Sequence, residues 1–186
     1  MTREYGPHTK YWPCIEAGES IDQPLVTADD DALYSGGWLA DLLAAWKARP
    51  HLIHAHRVRR MTVCGLELTP YVSWPFASDS RPSHANFITG VGGVIYPPPF
   101  LAFLAHKGTA FTDCCPTNDD IWLTVNAIRA GIEVVQVGGE AYQPLLVPGS
   151  QETSLYSINV LQGMNQRQLR RTFRPEDLEI VRRAQP

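Results

Sequence analysis

Three consecutive aspartates, Asp29, Asp30 and Asp31, follow the short apolar run Leu25-Val26-Thr27-Ala28. The next few residues contain no Lys or Arg to offset them. A desolvated carboxylate is costly without a partner. A hard divalent cation suits it and leaves positions for phosphate oxygens or water. The trio equally suits a solvated turn capping a following helix. His54 and His56 sit within Leu52–Val58. Alternate residues of a strand share a side, so this H-x-H pair is a candidate metal site. Asp119-Asp120 stands where a helix should open, either complementing the helix dipole or presenting a general base. Gly90, Gly92 and Gly93 interrupt an apolar stretch, where glycine packs nothing but lets a ligand, or a tight bulge, approach the backbone. Lys10, after the Gly6-Pro7 turn, is either an anion or nucleotide contact or a lysine left in solvent. The polar tail offers Gln151, Asn165, Arg167, Arg170 and Arg171, as donors to phosphates or as the wet side of a C-terminal helix.

The elements that must position these groups are readable from pattern. Residues 25–28 predict a buried strand. Apolar residues at 38, 39, 42, 43 and 46 make one helical face, with Trp38 and Trp46 read as core and Pro50 as the stop. Residues 52–58 predict a second strand, which Met61-Thr62-Val63 could continue. The segment 59–85 is rich in Pro, Ser and Trp towards its end and reads as an irregular excursion, a lid or an acceptor-side loop. A strand is expected over 86–96, ended by Pro97-Pro98-Pro99, with a short helix over Phe100 to His106. Thr117 or Asn118 should cap the strongest helix in the chain, with Ile121, Trp122, Val125 and Ile128 on its apolar face and Gly131 as its stop. Residues 132–137 predict a strand.

The 186 residues suit one domain with a substantial core. A net charge of −3 gives no reason to expect nucleic acid. No apolar run approaches the ~20 residues of a membrane span. The N-terminus lacks the apolar segment of a secretion signal. The four cysteines have no C-x-x-C spacing and read as reduced thiols, which implies a cytoplasmic protein.

In order along the chain, Gly-Pro-His-Thr-Lys (6–10), Thr-Ala-Asp-Asp-Asp-Ala-Leu-Tyr (27–34), Trp38-Leu39, His-Ala-His-Arg (54–57), Asn-Phe-Ile-Thr-Gly-Val-Gly-Gly-Val-Ile-Tyr-Pro-Pro (86–98) and Cys-Pro-Thr-Asn-Asp-Asp-Ile-Trp (115–122) together resemble the GT-A-fold nucleotide-sugar glycosyltransferases of the family-2 type. The resemblance implies an α/β fold, a Rossmann-like mixed sheet flanked by helices. It implies that the aspartate trio is the family's D-x-D motif, holding Mn2+ or Mg2+ against the donor diphosphate. Asp29 and Asp31 are the expected metal ligands and Asp30 a sugar or ribose contact. It places Thr89, Gly90, Gly92 and Gly93 along the donor-sugar and acceptor pocket. It makes Asp120 the catalytic base of an inverting transfer, with Asp119 orienting the acceptor. Gln151, Asn165 and Arg167 would close over the diphosphate. The implied partners are a UDP- or GDP-sugar donor and a glycan or polysaccharide acceptor.

One departure from the family pattern shapes the alternatives. Only 28 residues precede Asp29, too few for the β-α-β half that normally binds the base, so the fold is expected to be N-terminally shortened. A non-catalytic remnant, or a domain completed by a partner chain or oligomer, is the first alternative. A metallohydrolase built on His54, His56 and the aspartates is the second; it requires those groups to converge within ligand reach.

Overall fold

The computed structural model of the chain describes residues 4–18, 21–149 and 163–185. A 3-10 turn (Gly6–Lys10) leads into helix α1 (Trp12–Glu16), each with a proline in its first turn, where a missing N–H has no cost. Then come β1 (Leu25–Thr27), β2 (Ala32–Leu33), α2 (Trp38–Ala48), β3 (Ile53–Ala55), β4 (Val58–Arg60), β5 (Val63–Cys64) and β6 (Glu67–Leu68). A second 3-10 turn (Tyr71–Ser73) precedes β7 (Asn86–Ile88), and a third (Gly90–Gly92) separates it from β8 (Val94–Tyr96). The remaining elements are α3 (Pro98–Ala105), α4 (Phe111–Cys114), α5 (Asp119–Arg129), β9 (Val134–Gln136), β10 (Leu145–Leu146), α6 (Met164–Thr172) and α7 (Pro175–Ala184).

The chain is mixed α/β, with a mixed sheet flanked by helices. Its central sheet has the order β1-β8-β3-β9. β8 runs antiparallel to β1 and to β3, and β3 runs parallel to β9. Strands β4 and β7 pair antiparallel as a separate ladder, as do β2 with β10 and β5 with β6. No helix among the described residues is long and apolar enough to cross a membrane.

Two expected strands are each broken in the middle. The run 52–58 turns at His56-Arg57, so that β3 joins the central sheet and β4 pairs with β7. The run 86–96 breaks at the glycines in the same way, β7 going to one ladder and β8 to the other. Both breaks lie where the two ladders diverge. β1 is an edge strand and is only half-buried at Leu25 and Val26, contrary to the expectation of a buried strand. The 59–85 segment is less irregular than its composition suggests: β5 and β6 form a hairpin with Gly65 at φ 64°. In α2 the expected apolar face is partial. Leu42 is buried, whereas Leu39 is 45% exposed and Trp38 and Trp46 are half-buried.

Helix α5 follows expectation closely. The Asn118 side chain accepts the Ile121 N–H at 3.0 Å, and Gly131 at φ 68° follows the helix end. Nearly all of α5 is buried, and the Thr124 hydroxyl accepts the Ile88 N–H of β7 at 3.1 Å. The C-terminal helices hold it from the other side. Gln168 accepts the Thr117 N–H and Asn118 donates to Asn165. Arg129 forms a two-pronged pair with Asp177 while also donating to the Thr172 carbonyl. Asn165 is therefore a buried structural residue. The N-terminal turn packs equally deeply, with the His8 ring stacked on Phe111 at 4.0 Å.

Candidate active site

Three backbone turns meet around the Lys10 ammonium. Lys10 Nζ lies 2.8 Å from Asp29 Oδ1 in the turn after β1 and 3.2 Å from Asp119 Oδ2 at the start of α5. Asp120 Oδ1 accepts the Gly90 N–H at 2.8 Å. A Cβ on Gly90 would stand 3.0 Å from that oxygen and 3.5 Å from Lys10 Nζ, so only glycine lets the turn come this close. The two turns are also tied through Tyr34. Its hydroxyl accepts the Asp29 N–H at 2.8 Å and donates to the Val91 carbonyl at 3.1 Å. Trp38 lies against Tyr34 at 4.4 Å and donates its indole N–H to the Gly92 carbonyl at 2.7 Å. Its ring occupies the space a Cβ on Gly93 would need.

The glycines thus admit protein side chains. Thr89, Gly90, Gly92 and Gly93 are all buried, and the Thr89 hydroxyl donates to the Arg57 carbonyl. The Thr89 hydroxyl and the faces of Gly92 and Gly93 that meet Arg57 and Trp38 are thus engaged with protein groups and shape the turn. Val91, half-buried, is the most open residue of the turn.

The electrostatics single out Asp120. Burial and then the neighbouring Asp119 charge push its carboxyl up to about 8, against the opposing pull of Lys10 and the Gly90 amide. Burial works against the Lys10 charge, but Asp119, Asp29 and Asp120 outweigh it and hold its pKa above the ordinary lysine range. Lys10 is therefore a permanent cation among three acids. The alternative of a lysine left in solvent fails, since Lys10 bridges the N-terminal turn to the acidic groups.

Asp30 is exposed and Asp31 half-buried, with the Asp31 carbonyl accepting the Val147 N–H at 2.8 Å. Among the described residues, no three His, Cys, Asp or Glu side chains form a ready metal cage. Two hard carboxylates at a partly open turn do suit Mg2+ or Mn2+, which commonly keeps water and substrate phosphates in its shell. Asp29 and Asp31 are the residues that would hold such an ion, Asp29 sharing its charge with Lys10. His54 and His56 do not converge with them. The Nε2 of His54 donates to the Arg49 carbonyl at 2.9 Å, and that of His56 to the Trp38 carbonyl at 3.0 Å. Burial holds the His54 pKa down. Both rings brace α2 against β3.

Arg167 is exposed on α6, and Gln151 lies outside the described residues. Cys114 and Cys115 are reduced, their sulfurs 3.5 Å apart. Sequence reasoning missed the bracing roles of Tyr34 and Trp38, and it assigned nothing to Arg57. The only available signal for Tyr34 was an aromatic placed just after an acidic turn. Comparison of the chain with protein-family models, curated proteins and solved structures gives no match.

Proposed function

We propose that the chain is a glycosyltransferase of GT-A type that moves a sugar, with inversion, from a nucleoside-diphosphate donor to a glycan acceptor. The observation that carries this reading is Asp120: a carboxylate fixed by the Gly90 amide, flanked by Asp119 and Lys10, and raised to about 8. Such a group is a stronger base than an ordinary carboxylate and takes a proton once the pH approaches about 8. In the proposed reaction the Asp120 carboxylate removes the acceptor hydroxyl proton as that oxygen attacks the anomeric carbon. The bond from the anomeric carbon to the diphosphate breaks, and its electron pair leaves with the diphosphate oxygen. Lys10 keeps a positive charge beside Asp29, and in this reading that charge would stabilise the diphosphate as it departs. A cation held by Asp29 and Asp31 would neutralise part of that same charge.

The test is release of nucleoside diphosphate from a panel of UDP- and GDP-sugars with Mn2+ present. The expected result is turnover with one donor class, falling about 100- to 10,000-fold in Asp120→Asn. Unchanged turnover in that variant would refute the assignment of the base.

A non-catalytic or partner-completed domain is the second reading. It is favoured by the ion pair between Lys10 and Asp29, which satisfies one carboxylate of the trio without any ligand. Loss of nucleotide binding by a folded chain, regained on adding a partner chain, is the outcome that selects it.

A further inference from the structure

The chain entering β4 carries two arginines, Arg57 and Arg59, that form no ion pair among the described residues. Arg57 is half-buried, and its Nε is enclosed with no hydrogen-bond partner. Arg59, two residues on, has the same orphaned Nε, although its Nη1 donates to the Trp74 carbonyl at 2.7 Å. The guanidinium carbons of Arg57 and Arg59 lie 4.7 Å and 4.3 Å from the centroid of one ring, Phe76. Arg59 is also 5.0 Å from the Tyr71 ring. Arg60 is ion-paired with Asp79, but among the described residues neither Arg57 nor Arg59 has an ion pair.

This arrangement is held in place. The Arg57 carbonyl accepts both the N–H of Thr89 at 3.2 Å and its hydroxyl at 2.8 Å. A Cβ on Gly92 would come within 2.8 Å of the Arg57 Cβ, so the glycine turn is cut to fit this side chain. Burial lowers the Arg57 pKa, Tyr71 opposes this, Arg59 adds to it, and Asp120 opposes it again. Arg57 is thus within the electrostatic reach of Asp120. A carboxyl raised to about 8 is largely protonated at neutral pH and is a weak counter-ion there. A partly desolvated guanidinium without an anion is unfavourable, and its planar fork matches a carboxylate or phosphate.

We infer that Arg57, flanked by Arg59 and Phe76, is a subsite for a carboxylate or phosphate group on the acceptor, so that the acceptor is an acidic glycan. The word acceptor rests on the glycosyltransferase reading: Arg57 packs against the same glycine turn whose Gly90 amide holds Asp120, where the acceptor hydroxyl would lose its proton, and the Asp29–Asp31 turn would serve the donor.

The test is calorimetric titration of the full chain with D-glucuronate, inorganic phosphate and neutral D-glucose, alongside UDP and GDP with Mn2+. The expected result is that both anions bind and glucose does not. Arg57→Gln should weaken both anions at least tenfold, Arg57→Lys should weaken them less, and nucleotide binding should stay as in the parent. Equal anion binding in Arg57→Gln, or none in the parent chain, would overturn the subsite. If Arg57→Gln fails to fold, Arg57→Lys alone decides, because unaltered anion affinity there would contradict bidentate recognition. Joint loss of nucleotide and phosphate in a folded variant would assign Arg57 to the donor diphosphate and overturn the acceptor role. Arg57-dependent glucuronate binding in a chain that binds neither nucleotide would leave the anion subsite standing while the glycosyltransferase reading fell.

Discussion

Asp120 meets two opposed demands. As the proposed base it must shed its proton to act, yet burial and Asp119 favour the protonated form. If it acts as the base, kcat/KM should rise about tenfold per pH unit and level off above about pH 8. A profile flat from pH 6 to 9 would contradict the assignment. The same shift has a stability consequence. The native carboxyl holds its proton more tightly than the unfolded one, whose pKa is about 3.9. Its contribution is therefore fully present below that value and is lost as pH rises towards about 8. Asp120→Asn keeps an oxygen for the Gly90 N–H and removes the titration. It should be more stable than the parent at pH 9, by up to about 5 kcal/mol, and close to it near pH 4. Urea melts at both pH values measure this.

The glycine turn shows how much of the site was legible and what was hidden. Three glycines in four residues announced that something approaches the backbone, but not what does so. Side chains from α2, the β3–β4 bend and the start of α5 all arrive at that turn, and their convergence is a tertiary fact. Gly93 has φ 91°, and a Cβ there would lie 2.3–2.5 Å from the Trp38 ring. Gly93→Ala should therefore destabilise the chain by about 3 kcal/mol or more. Gly36→Ala, where nothing lies within 4 Å, should change stability by less than about 0.5 kcal/mol. Similar midpoints for the two variants would refute this account of the turn. Helix α5 was legible because its signals are local: the Asn118 cap, the acids of the first turn and the terminal glycine. Its clasp by α6 and α7 was not, because a polar tail reads alike whether its polar groups face water or a helix. Asp177→Ala strands a mostly buried Arg129 and should lose about 3–5 kcal/mol in chemical denaturation.

Across the chain, element types were easier to read than the sheets they join. The runs 52–58 and 86–96 have the composition of single strands, and local propensity carries no information on where a ladder splits. The acidic turn, the glycine turn and the acidic helix start lie about 60 and 30 residues apart in sequence, yet the fold brings them around one ammonium group. That convergence supports the proposed reaction centre. The decisive experiment is calorimetric binding of UDP and GDP to the purified chain, with and without Mn2+, repeated on Asp31→Asn. The account predicts that one nucleotide binds only with Mn2+ present and that the variant loses this binding. A folded parent chain that binds neither nucleotide, or an Asp31→Asn variant with Mn2+-dependent binding intact, would contradict it.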